Sequence, residues 1–343
     1  MKLILDAMGG DNAPLEILKG AAQAVAEYPD VELILVGNEA VIREICEKES
    51  ISLERMEIID APEVINMEDA AQVVVMSKKN SSMSLGLKAL AAGDGDAFIS
   101  AGNTGALMTG ATLLVRCVKG VKRAAIATIL PMEKPVLMID SGSNISVSPE
   151  YLTQFGILGS VYMEQVFEIP NPRVGLLNNG TEEHKGTPVM VEAHKMLAKT
   201  SGINFIGNVE GKGIPFGECD VLVTDGFTGN IVLKTIEGLS KFMMKKLKGI
   251  FMKNLVNKLS ALIIKKEVNA LRKEFDSSEY GGAPFLGISK PVFKAHGSSD
   301  ARAIKNAIRQ AREYIIKDVP AIIDERIARS ISENKSVNKE GQN

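Results

Sequence analysis

Residues able to do chemistry gather where apolar runs stop. Ala97–Ile99 ends at Ser100, and Ala101-Gly-Asn-Thr-Gly105 turns the chain before an apolar stretch through Leu113 and Leu114. Asn103 or Thr104 would cap the helix that follows. A strand, a tight loop and a helix N-terminus, in that order, build an anion site. First-turn N–H groups have no internal acceptor, and the helix dipole favours negative charge there. Gly102 and Gly105 have no Cβ, so a ligand can approach the main chain closely. The competing reading is a turn that needs glycine only for its geometry, and one loop does not decide between them. Repetition weighs toward a site. Asp6-Ala-Met-Gly-Gly-Asp11, Asp140-Ser-Gly-Ser-Asn144 and Asp225-Gly-Phe-Thr-Gly-Asn230 also close apolar runs with glycine beside polar residues.

The elements that must position these loops alternate. Strands are expected at Leu3–Leu5, Val31–Val36, Met56–Ile59, Ala97–Ile99, Ala124–Leu130, Val136–Ile139, Val174–Leu177, Asn204–Ile206 and Val221–Thr224. Helices are expected from Pro14 to about Tyr28, over Glu39–Lys48, Met67–Lys79, Ser81–Ala92 and Pro149–Val166, and from Gly186 to about Lys199. Tyr280–Gly287 reads as a turn leading into a strand, Pro291–Lys294 as extended, and His296-Gly-Ser-Ser299 as the start of a last long helix through Tyr314. Such alternation predicts an α/β fold, a mostly parallel sheet with helices on both faces. In such sheets ligands gather beyond the carboxyl ends of the strands. A site assembled from many strand-end loops is therefore expected. One α/β domain over residues 1–330 and a disordered polar tail over 331–343 complete the reading.

Composition narrows the function. The 343 residues are 45% hydrophobic and 24% charged, with net charge −2 and no Trp, so nothing argues for nucleic acid. Three scattered cysteines, Cys46, Cys117 and Cys219, have no metal spacing and fit a reducing cytoplasm. The opening apolar run is too short for a signal peptide, and no run has the length to cross a bilayer.

Gly238–Lys266 breaks the alternation, with eight lysines, no acid and apolar residues at helical spacing. One or two amphipathic helices are expected, inserted over 238–276. They would either pack on a second subunit or lie in a membrane interface with lysines over anionic headgroups, and composition alone favours packing.

Taken together, Asp6–Asp11, Ser100-Ala-Gly-Asn-Thr-Gly-Ala106, Asn204-Phe-Ile-Gly-Asn-Val-Glu-Gly211, Asp225–Asn230, Tyr280-Gly-Gly-Ala-Pro284 and His296–Ser299 closely resemble, in order, the loops of bacterial acyl-[acyl-carrier-protein]:phosphate acyltransferases, the PlsX family. The likeness spans about residues 2–320. It departs at Ser143, Asn179 and Gly213, where the family more often has a small apolar, an aliphatic and an acidic residue, which leaves those side chains without an implied role.

The resemblance implies a fold related to isocitrate and isopropylmalate dehydrogenases and to phosphotransacetylase, and a homodimer. It also implies transfer of a fatty acyl group from acyl-carrier-protein thioester to phosphate. The acyl phosphate would serve a membrane glycerol-3-phosphate acyltransferase on the way to phosphatidic acid. That places the protein in the cytoplasm, peripherally on the inner face of the cell membrane. With this product the basic segment gains weight as a membrane contact through Phe251, Met252, Leu255, Leu259 and Leu262.

The chemistry makes modest demands. Phosphate is already nucleophilic and a thiol leaves readily, its pKa being ~8.5. No activated Ser or Cys and no cofactor is required, and no G-x-S-x-G elbow is present. Ser100, Gly102, Asn103, Thr104, Gly105, Gly297, Ser298 and Ser299 are the expected phosphate ligands, with His296 close enough to donate a hydrogen bond or proton. The alternative for His296 is a helix-start residue that satisfies main-chain groups.

Lys185 would meet phosphate or the carrier protein's phosphopantetheine phosphate, or else pair with Glu182 or Glu183. Asn230 would reach the reacting carbonyl or cap the next helix. His184 and His194 read as exposed. Asp6, Asp11, Asp140 and Asp225 read as caps and braces rather than metal ligands, since phosphate attack on a thioester needs no Lewis acid. Two rivals stand: a nicotinamide-dependent dehydrogenase of the same fold, which would want an Arg cluster and a G-x-G-x-x-G after the first strand, and a non-enzymatic, membrane-recruited lipid-binding protein.

Overall fold

A computed structural model describes residues 1–268 and 280–340. Among these, eleven strands form one sheet in the order β3-β2-β1-β4-β11-β10-β5-β6-β9-β7-β8. The strands are β1 (Lys2–Asp6), β2 (Glu32–Gly37), β3 (Met56–Asp60), β4 (Ala97–Ser100), β5 (Ala125–Leu130), β6 (Val136–Ile139), β7 (Arg173–Asn178), β8 (Asn204–Glu210), β9 (Val221–Val223), β10 (Ala283–Leu286) and β11 (Val292–Lys294). The helices are α1 (Leu15–Glu27), α2 (Glu39–Lys48), α3 (Ser82–Ala92), α4 (Thr104–Gly110), α5 (Pro149–Val166), α6 (Pro188–Lys199), α7 (Gly226–Phe251), α8 (Leu255–Ile263), α9 (Ala301–Ile316) and α10 (Val319–Glu340).

The sheet is mostly parallel, as expected, but it holds two parallel blocks running in opposite directions. β3, β2, β1, β4 and β11 run one way. β6, β9, β7 and β8 run the other, because the antiparallel pairings of β10 and β5 between them reverse the direction. Strand-end loops therefore collect at two opposite ends of the sheet, which corrects the expectation of a single site built from nearly all of them.

Alternate residues of each strand face opposite sides. On one side Leu3, Leu5, Ile99, Ala127, Ile139, Val223 and Leu176 join a continuous core with residues of α1, α2, α5, α6, α9 and α10. On the other side the apolar residues split. Ile4, Phe98, Ile126 and Val292 pack with α3 and α4, while Leu130, Met138 and Leu222 pack with Val232, Leu233 and Ile236 of α7. Between these two clusters lies a polar seam. The register places Asp6, Ser100 and Lys294 in one row on this side, on three adjacent strands. Thr128, between Ile126 and Leu130 on β5, marks the seam's other edge.

Several boundaries differ from the sequence prediction. Of the helix expected over Met67–Lys79 only a short turn at Ala71–Val74 forms. Asn66, Met67 and Asp69 instead offer their carbonyls to the Asn103 side chain, and that tertiary contact overrides the helical pattern. β8 continues through Gly207 to Glu210. The helix expected to begin at His296–Ser299 starts at Ala301 under an Asp300 cap, and α10 follows it through part of the expected disordered tail. The basic segment grows directly out of α7 and turns into α8; residues 269–276 of the expected insertion and 341–343 lie outside the described residues.

Candidate functional site

Three loops meet at the seam end of β1, β4 and β11. The Asp11 N–H donates to the Gly297 carbonyl at 2.8 Å, and the Asn12 amide donates to the carbonyls of Ser298 and Ser299 at 3.2 Å each. A methyl group on Gly9 would come within 2.8 Å of the Gly102 nitrogen and 2.6 Å of an Asp6 carboxylate oxygen, so only glycine lets the first two loops touch. Residues 100–105 and 296–299, far apart in the chain, thus stand side by side because β4 and β11 pair in parallel.

Individual side chains divide between bracing and access. Ser100 is buried; its hydroxyl donates to Asp6 Oδ2 at 2.6 Å and accepts from the Gly102 N–H at 3.0 Å. Asn103 caps α4 by accepting from the Ala106 N–H, while its Nδ2 serves the three carbonyls of the 66–69 loop. The side chains of Ser100 and Asn103, expected as phosphate ligands, are thus spent on holding the loop. Thr104 is half-buried and Gly105 exposed, at the first turn of α4 where N–H groups have no intrahelical acceptor.

In the third loop, His296 Nδ1 accepts from the Ser298 N–H at 3.2 Å and lies 2.9 Å from Ser298 Oγ. An acceptor at Nδ1 assigns the ring proton to Nε2. Desolvation by the surrounding loops, then the charge of Lys234 and those of Lys294 and Lys241, hold the His296 pKa below the usual histidine value. A neutral donor imidazole results. Ser299 is buried, and its N–H closes a turn onto the His296 carbonyl at 3.0 Å.

The cation at this place carried no sequence signal, since it merely closes a three-residue strand. Burial lowers the Lys294 pKa to about 8, against the opposing pull of Asp6 and Asp11. Its Nζ donates to the Ala101 carbonyl at 3.0 Å and to the Ala295 carbonyl. Asp6, buried, is pushed above the usual carboxylate range by desolvation, against hydrogen bonds from Ser100 and Ser82.

α7 forms the far wall. It starts at the opposite end of the sheet, where Asp225 caps it by accepting from the Thr228 N–H and hydroxyl. Running back along β9, it carries Lys234 to where its charge acts on both His296 and Lys294. Asn230 is exposed one turn earlier, beside Gly142. That loop is fixed by Asp140, whose buried carboxylate accepts from the N–H groups of Ile126, Gly142, Ser143 and Asn144 and from both the Ser143 hydroxyl and the Asn144 amide. Ser141 Oγ lies 2.7 Å from Thr128 Oγ1 at the edge of the seam.

Lys185 lies outside the three loops around His296. It sits on the loop after β7, at the opposite end of the sheet, 3.8 Å from Glu182. Its loop rims an open groove of about 590 Å³ lined by Leu177, Asn178, Thr187, Met190, Thr228 and Val232, against the other side of α7. His194, expected exposed, is buried there. Its Nδ1 lies 3.1 Å from Asn208 Oδ1, and Asn208 in turn donates to the Glu182 carbonyl, fastening the Lys185 loop.

The arrangement can hold a small polyanion between loops 100–105 and 295–300, with a half-buried cation below and a neutral donor beside it. A cysteine nucleophile does not fit: burial raises the Cys46 and Cys117 thiols and pushes Cys219 up to about 12.

The chain is similar to known proteins. The family described as "Fatty acid synthesis protein" matches residues 1–322. The phosphate acyltransferase of Thermoanaerobacter pseudethanolicus is 47% identical over 328 residues, covering 95% of this chain and 97% of its own. That of Caldanaerobacter subterraneus is also 47% identical over 328 residues, with the same coverages of 95% and 97%. Among solved structures, a phosphotransacetylase from Streptococcus pyogenes superposes with a TM-score of 0.65 over 92% of this chain and 94% of its own, at 17% identity, a likeness of fold.

Proposed function

The chain belongs to the fatty acid synthesis protein family, that of the phosphate acyltransferases, and from this premise we propose that it moves a fatty acyl group from an acyl-carrier-protein thioester to inorganic phosphate. Family membership sets aside both the dehydrogenase and the non-enzymatic alternative. The observation that carries the reading is the convergence of the 6–11, 100–105 and 295–300 loops around Lys294 and His296.

Phosphate binds between the first turn of α4 and the 297–299 loop. One of its oxygens attacks the thioester carbonyl carbon, the C–S bond breaks, and the thiolate leaves with the electron pair. The Nε2–H of His296 donates a hydrogen bond to the oxygen on which negative charge develops. Asn230, across the seam on α7, orients the thioester, and Lys185 meets the donor at the far rim. Hydroxylamine trapping of acyl phosphate, formed from palmitoyl-carrier protein and phosphate, tests the proposal. Trapped acyl hydroxamate that requires both reactants is expected; oxidation of a nicotinamide, or no acyl transfer, would overturn it.

α7 and α8 supply the surface contacts. Leu255, Leu259, Leu262 and Met252 are 77%, 63%, 67% and 57% exposed, among lysines, while Phe251 is half-buried. Among the described residues no helix is long and apolar enough to cross a membrane. We infer that this projection lies on an anionic membrane surface, where acyl phosphate passes to a glycerol-3-phosphate acyltransferase, and that a second copy packs on the α7 stripe of Leu239, Met243 and Ile250. In liposome flotation the double variant L255E/L259E is expected to stay in the soluble fraction while the parent floats. Equal flotation of the two would remove the membrane contact.

A further inference from the structure

Lys294 is a half-buried ammonium where the three loops, the polar row of the sheet and the charge of Lys234 on α7 meet. An ammonium has three N–H donors, and here two go to the neutral carbonyls of Ala101 and Ala295. Asp6, from β1, has one oxygen engaged by the Ser100 hydroxyl and the other by the Met8 N–H, and is itself pushed toward its neutral form. The charged groups facing Lys294 are Asp6 of β1, Asp11 of the following loop and Lys234 of α7, with His296 two residues on. Neutral carbonyls compensate a desolvated cation incompletely, whereas an arriving dianion would pair with it fully.

We propose that Lys294 selects phosphate over water as the acyl acceptor, its ammonium exchanging the Ala101 and Ala295 carbonyls for oxygens of the bound phosphate. This rests on the phosphate acyltransferase reading. With phosphate held, its oxygen forms the new bond to the acyl carbon and the thiolate departs. Without it, water attacks, gives up a proton and yields free fatty acid. Lys294 thereby sets both phosphate affinity and the partition between acyl phosphate and hydrolysis. Because its pKa in the free protein is about 8 and only the charged form pairs with phosphate, kcat/KM for phosphate falls above that pH, by about tenfold per unit.

The test compares the parent with K294M and K294R. For K294M the KM for phosphate is expected to rise roughly 10- to 100-fold, with a much smaller change in kcat. More of the acyl group should then appear as free fatty acid. Inorganic phosphate is expected to raise the melting temperature of the parent and not of K294M. The K294M melting temperature without phosphate should be equal or higher at pH 7, since a partly desolvated charge is removed, which separates loss of binding from loss of fold. K294R, charged at all accessible pH values, should keep phosphate binding and lose the alkaline fall. A K294M protein with KM within twofold of the parent and an intact phosphate-induced shift overturns the inference alone. A parent that makes no acyl phosphate overturns the functional reading and the inference with it.

Discussion

Replacing His296 with alanine is expected to lower kcat/KM by about 10²- to 10³-fold, the usual worth of one positioned donor. The effect should fall mainly on kcat, because the Nε2–H strengthens its bond only as charge develops on the carbonyl oxygen. Two conservative variants separate donation from bracing. Glutamine reproduces a donor near Nε2, whereas asparagine reproduces the Nδ1 acceptor that takes the Ser298 N–H. H296Q should therefore retain more activity than H296N, and the reverse order would show that the ring acts by fixing the loop.

The pH dependence has a definite sign. Desolvation and the charges of Lys234, Lys294 and Lys241 lower the His296 pKa, so the ring stays neutral down to below its ordinary ~6.5. Activity should fall on the acid side of that value, where a second ring proton removes the acceptor from Ser298. It should not fall between pH 6.5 and 7.5.

The second large effect is on the fold. Asp140 accepts from four main-chain N–H groups, one hydroxyl and one side-chain amide, all through a fully buried carboxylate. D140A leaves these donors without an acceptor, at a cost of about 3–5 kcal/mol, which is a large share of a typical folding free energy. D140N keeps the shape but presents an NH₂ to donors on one side, so it should lose about half as much. Because the 141–144 loop stands against Thr128 and Asn230, kcat should drop even where D140N still folds. Urea unfolding midpoints and kcat measured on the same preparations check both; a D140A protein as stable as the parent would refute the bracing role.

What the sequence could reveal follows how local each feature is. The Ser100–Gly105 loop is legible because a short apolar run, two glycines and a capping residue lie within a few positions of each other. The α/β class is legible for the same reason, and strand and helix limits such as Val136–Ile139 and Pro149–Val166 match closely. What depends on distant partners is not. Asn103 reads as a ligand until the 66–69 carbonyls arrive around its amide. Lys294 has no motif, and its place beside Ser100 follows from β11 pairing with β4 almost two hundred residues earlier. The reversal of the second strand block takes three antiparallel pairings, β11 with β10, β10 with β5 and β5 with β6, and that of β10 with β5 joins distant segments that no local pattern links. For that reason Lys185 and His296 follow strands, β7 and β11, that run in opposite directions.

Locating the anion tests the central claim most directly. Arsenate, a phosphate analogue with an anomalous X-ray signal, can be introduced into crystals of the protein. The peak is expected within hydrogen-bond distance of Lys294 Nζ, between the first turn of α4 and residues 297–299. A peak confined to the groove of Asn178, Thr187 and Thr228, on the other side of α7, would contradict it.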